Sequence, residues 1–82
     1  MKTVWTLNTL DELADYRFDY KLFETREDAV EAMNVYKNCM IKTYELKVLY
    51  RNDNFIALAP ENYDGESVVQ MYKMWVRETI IH

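Results

Sequence analysis

The chain has one glycine (Gly65), one proline (Pro60), one cysteine (Cys39), one serine (Ser67) and one histidine (His82). Each scarcity excludes something. A single glycine leaves no glycine-rich phosphate loop. So little glycine and proline also excludes a linker, a low-complexity arm or a collagenous segment. A lone cysteine forms no intramolecular disulfide, so a secreted disulfide scaffold is excluded and an intracellular setting fits best. One cysteine and one histidine cannot complete a zinc shell, and no acidic stretch has calcium-loop spacing, so neither metal nor cofactor is expected. His82 is terminal and Cys39 has no histidine within predictable reach, which leaves neither a triad nor a dyad to assemble. Cys39 flanks an apolar helical stripe and is expected to be a buried, inert thiol. Long apolar runs are also missing. Val4-Trp5-Thr6-Leu7 is broken by Asn8 and Asp11, too short for a signal peptide or a membrane span, and the expected location is the cytoplasm.

What is present is a core. Half of the 82 residues are apolar and 15% are aromatic, enough for one packed domain over residues 1–82. A chain of this length buries only about 60–65% of its unfolded surface, which leaves little interior to hollow into an active site. A non-catalytic role is therefore expected.

Val4 to Leu7 reads as a short strand. Thr9-Leu10-Asp11-Glu12 matches a capping box, so a helical turn over Leu10–Asp15 is one option before the second strand. Tyr16 to Phe23 alternates, with Tyr16, Phe18, Tyr20 and Leu22 against Arg17, Asp19 and Lys21; the first set is expected to face the core. Thr25 caps a helix of about four turns ending near Lys42, with Asp28 at its third position and Ala29, Val30, Met33, Tyr36 and Met40 as the apolar stripe. Tyr44 to Tyr50 alternates again, Asn52-Asp53 makes a tight hairpin, and Phe55 to Ala59 returns to Pro60. A cap-and-stripe pattern then recurs 39 positions after the first: Asp64 precedes Val68, Val69, Tyr72, Trp75 and Thr79. This echo predicts a second helix running to near the chain end, with Trp75 matching Tyr36 against the sheet. The expected fold is α+β, a two-layer ββαββα sandwich of four mainly antiparallel strands with two helices on one face. On the open face Phe23 and Leu49 interrupt the charged alternates and mark a possible apolar contact.

The charge is uneven. Fourteen acidic against ten basic residues give a net charge of −4. Asp11, Glu12, Asp15, Asp19, Glu24, Glu27, Asp28 and Glu31 face only Arg17, Lys21 and Arg26 within their stretch, a local net of −5. Glu27 and Glu31 beside Asp28 invite a divalent ion on spacing alone, but without an imidazole they read as a solvated helix face. The whole stretch has the same bland reading; its functional reading is a patch that attracts basic protein surfaces. Direct nucleic-acid binding is not expected, because strand aromatics turned to solvent would drive Arg17, Asp19 and Lys21 inward, and the net charge repels phosphate.

The run Asp15-Tyr16-Arg17-Phe18 to Phe23-Glu24-Thr25-Arg26-Glu27-Asp28-Ala29 resembles small phage-encoded accessory proteins, in which a strand ending in Phe meets a Thr or Ser cap and an acidic, alanine-bearing helix. Such products include anti-CRISPR and other anti-defence inhibitors, so the resemblance implies a protein that binds a host defence protein and occludes its nucleic-acid or partner site. The expectation is an inhibitor of that kind, acting in a bacterial host cell through the eight carboxylates. The alternative is a homo-oligomeric assembly module that buries the open sheet face, and monomer and homodimer both stay open.

Overall fold

Thr25 has extended backbone and its Oγ1 accepts a hydrogen bond from the Asp28 N–H at 3.2 Å, the capping that its place before Arg26-Glu27-Asp28 dictates. The helix ends at Glu45, which takes a left-handed conformation (φ 53) and returns its N–H to the Ile41 carbonyl. Around this helix the computed structural model describes residues 2–13, 15–65 and 70–81. The elements are β1 (Lys2–Asp11), β2 (Arg17–Phe23), α1 (Arg26–Tyr44), β3 (Leu46–Arg51), β4 (Phe55–Pro60) and β5 (Tyr72–Ile81). The strands make one antiparallel sheet in the order β2-β1-β5-β4-β3, and α1 runs from one edge strand to the other while touching all five.

The class is α+β, but five strands and one helix replace the expected four strands and two helices. The second helix is the error. Tyr72–Ile81 is a central strand, paired with β1 on one side and β4 on the other. Its residues include Tyr72, Trp75, Val76, Thr79, Ile80 and Ile81, the β-branched and aromatic types that suit a pleated surface. Tyr72, Met74 and Val76 are buried toward the helix and alternate with Lys73, Trp75 and Arg77, but the outward Trp75 and Thr79 fall three and seven positions after Tyr72 and so also satisfy a helical period. Tyr72 points toward α1, whereas Trp75 and Thr79 are of opposite parity and point away, so the supposed stripe divides between two faces. Glu66, Ser67, Val68, Val69 and His82 lie outside the described residues.

The core sits between α1 and the sheet: Ala29 and Met33 of the helix meet Leu7, Leu46, Ile56, Leu58, Tyr72, Met74 and Val76. Trp5, Phe23, Val30, Tyr36, Met40 and Ile41 pack around its margin. Phe23 therefore belongs to the helix side of the sheet, opposite Trp5 in the register, and not to the open face. Leu49 is the extra residue of a bulge between Val48 and Tyr50, and is exposed. The Leu10–Asp15 option also resolves against helix, since β1 continues through Asp11 into a turn. Cys39 is exposed, with Sγ 3.9 Å from the Thr43 hydroxyl.

The alternation in β2 is real, and its orientation is the reverse of the one expected. Phe18, Tyr20 and Leu22 are 54%, 58% and 54% exposed and lie on the side away from the helix. Lys21 lies on the helix side, where its ammonium donates to the Tyr36 hydroxyl and sits over the ring. The cost expected for turning Arg17, Asp19 and Lys21 inward does not arise, because all three stay exposed at the sheet's edge. An edge strand wetted on both faces obeys alternation without revealing which side is in.

Candidate functional site: the outer face of the sheet

Leu7, Ile56, Leu58, Tyr72, Met74 and Val76 pack toward α1, so their strand neighbours point to the opposite side. The register then arranges these outward side chains in crosswise rows. One holds Phe18, Leu10, Lys73, Ala57 and Tyr50; the next holds Tyr20, Asn8, Trp75 and Phe55; a third holds Leu22, Thr6 and Arg77. Five aromatic rings thus occupy two adjacent rows. The Phe18 ring centroid lies 6.1 Å from that of Trp75 and 6.4 Å from that of Tyr20, and Tyr50 lies 5.9 Å from Phe55, all tilted.

Between the rings runs a buried polar seam. The Asn8 amide donates to the Thr6 hydroxyl at 3.0 Å and to the Trp75 carbonyl at 3.4 Å, and the Thr6 hydroxyl donates to the Arg77 carbonyl at 3.2 Å. Both polar side chains are buried on the outward face, satisfied from within. Next to this seam, Asn52, Asp53, Asn54, Phe55 and Trp75 line a shallow concavity at the β3–β4 hairpin tip. The tip is anchored by Arg26, whose guanidinium donates to the Asn54 side chain at 2.8 Å and to the Asp53 carbonyl at 3.3 Å.

The charge on this face is segregated. Among the described strand residues, the outward side chains include Lys2, Lys47, Lys73 and Arg77 and no carboxylate. A chain of net charge −4 thus presents one face on which every strand-borne charge is positive. Some of that charge is engaged: Lys73 Nζ lies 2.9 Å from Glu12 Oε2, Lys2 lies 4.0 Å from Glu24, and Lys47 donates to the Tyr63 carbonyl at 2.7 Å while its ammonium sits 5.9 Å from that ring. Arg77 is exposed and, among the described residues, has no ion pair.

The eight carboxylates expected to form one patch are distributed over the molecule. Asp11, Glu12 and Asp15 sit at the β1–β2 turn; Glu24, Glu27, Asp28 and Glu31 sit beyond the far end of β2 on the entry to α1; Asp19 lies midway, on the helix side. The seven residues of β2, about 3.3 Å each, hold the two groups roughly 20 Å apart. Glu12 is committed structurally. Its side chain is 15% exposed and also accepts the Met71 N–H at 3.0 Å; the Lys73 bond first, then the Met71 bond, hold its pKa below the ordinary glutamate value.

Among the described residues no group of three or more His, Cys, Asp or Glu is placed to hold a metal ion. No helix among them is long and apolar enough to cross a membrane. The ring cluster was missed in the sequence because it needs β5 as a strand. Its one local signal is Lys73-Trp75-Arg77, a cation–aromatic–cation alternation that the helical period of Tyr72, Trp75 and Thr79 masks. Compared with protein-family models, curated proteins and solved structures, the chain matches none.

Proposed function

We propose that the chain is a non-catalytic binding module whose working surface is the outer face of the sheet. The observation that carries this is the exposure of Phe18, Tyr20 and Leu22 beside Trp75, Phe55 and Tyr50 on a face no other element covers among the described residues. Cross-strand ring pairs add only up to about 1 kcal/mol each to a sheet, whereas rings left exposed together form an apolar patch of the kind that marks interaction sites. Tyr, Trp and Arg are also the side chains that dominate contact energetics. A photo-crosslinking residue at Leu22, on the outer face, is expected to give an adduct in cells; the same residue at Val35, on the outer surface of α1, is not. Adducts from Val35 alone would contradict the reading.

A second reading keeps the anti-defence inhibitor implied by the resemblance, binding a basic surface of a host protein. One observation favours it: Glu24, Glu27, Asp28 and Glu31 are all exposed and follow one another at the entry to α1. Reversing Glu27 and Glu31 to lysine separates the two readings, since both lie on α1 and away from the outer face. Loss of the Leu22 adduct in that variant would favour the carboxylates.

A further inference from the structure

Resting on the outer-face reading, we propose that the occupant is single-stranded nucleic acid, held by base stacking on the ring cluster and by phosphate contact with Arg77 and Lys73. Three properties of the face lead there. The first is its charge. Lys73 and Lys2 already face Glu12 and Glu24, but a second copy docking face to face would still set Arg77 and Lys47 against themselves with no strand-borne carboxylate to answer them, and like charges brought together across an interface oppose association. A basic partner meets the same objection. The complementary partner is an anion.

The second is the rings. An anion alone would call for cations and would leave Phe18, Tyr20, Trp75, Phe55 and Tyr50 without purpose. Single strands supply flat apolar bases together with phosphates, and base–aromatic stacking is tolerant of sequence because every base has a π-face. Ring centroids about 6 Å apart exceed the ~3.4 Å spacing of bases stacked in a helix, so the rings suit bases drawn out of their own stack. A duplex keeps its bases stacked and offers only phosphates.

The third is placement. Lys73 and Arg77 stand two residues either side of Trp75 on one strand face, so a base over Trp75 has a cation on each side for its neighbouring phosphates. Glu12 accepts from Lys73, which leaves Arg77 as the principal phosphate contact. The acidic groups lie at the two ends of β2 and on the helix side. Glu27, Asp28 and Glu31 lie on α1, away from this face, and repel a strand that approaches there.

The test is fluorescence anisotropy of the full chain with labelled 12-mers of oligo(dT) and oligo(U) and with a 12-base-pair duplex, between 50 and 200 mM salt. Both single strands are expected to bind, with the duplex at least tenfold weaker and a shallow salt slope of about −1.4 for two phosphate contacts. Binding should quench Trp75 emission in a Trp5→Phe background. Phe18→Ser with Tyr20→Ser should lower affinity at least tenfold while circular dichroism stays that of the parent, and Arg77→Glu should lower affinity and flatten the salt slope. Equal binding of duplex, or full affinity in the Phe18/Tyr20 variant, would overturn the proposal. So would no binding by either oligomer. If in that last case the Leu22 crosslinker still gives an adduct, the outer-face reading survives with an acidic protein as its occupant; if Leu22 gives none, both readings fall.

Discussion

Phe18 of β2 and Trp75 of β5 meet across the intervening strand β1, with ring centroids 6.1 Å apart on the side of the sheet opposite the helix. That contact fixes the outer face. It also separates side chains that hold the fold from those available to a partner. Met74, completely buried among the core residues, is expected to cost about 2–5 kcal/mol on truncation to Ala, comparable with the roughly 3–5 kcal/mol available to a domain of this size. Half-buried Trp75→Ala should cost about 1–3 kcal/mol, and Phe18→Ser or Tyr20→Ser within about 0.5 kcal/mol. Chemical denaturation of the four variants checks the order.

The polar seam beneath the rings gives a second test. Asn8→Ala removes the donor to the Thr6 hydroxyl and the Trp75 carbonyl inside a buried stretch. A loss of about 1–2 kcal/mol is expected, more than for any single exposed ring. An unchanged urea midpoint would mean that the seam is dispensable.

How much of this was legible in the sequence differs from element to element. The helix with its Thr25 cap, the existence of the β3–β4 hairpin, and most of the strand expected over Tyr16 to Phe23 (Arg17–Phe23) read correctly, because each is specified by local chemistry, although the hairpin turn is longer than Asn52-Asp53 alone. Two facts did not follow from local chemistry. The state of Tyr72–Ile81 depends on partners more than sixty residues away in β1. The orientation of β2 depends on where the helix lies, and on an edge strand with both faces wet neither choice buries a charge. The ring cluster requires both facts at once, so it was illegible, and the acidic run, contiguous in sequence, looked like a patch until β2 separated its ends.

The helix termini permit opposite predictions. Thr25→Ala should destabilise by about 1 kcal/mol, since Oγ1 satisfies the Asp28 N–H. Glu45→Gly should stabilise by up to about 1 kcal/mol, because φ 53 strains a side chain that glycine lacks. Thermal melts of both variants, shifted in opposite directions, are the expected result.

The Glu12–Lys73 pair makes stability depend on pH in a defined sense. The folded carboxyl has a lowered pKa, so near the ordinary glutamate pKa of about 4.3 the unfolded chain binds more protons and stability rises with pH. The pair's contribution is fully present above that value and is lost as pH falls through the lowered folded one. Glu12→Gln should cost about 1 kcal/mol at neutral pH and close to nothing once the pH is below the lowered value of the folded carboxyl. Denaturation curves of parent and variant at several pH values read this directly; a constant difference would show that the carboxylate charge is immaterial.

The central claim, that the outer face receives a single strand of nucleic acid, is tested most directly by two-dimensional NMR of the labelled chain titrated with a 12-mer of oligo(dT). Ring and amide signals of Phe18, Tyr20, Phe55, Trp75 and Arg77 are expected to move together and saturate, while those of Met33, Val35, Glu27 and Glu31 stay in place. Signals on the outer face that remain fixed at saturating oligonucleotide, or shifts confined to the helix side, would contradict the account.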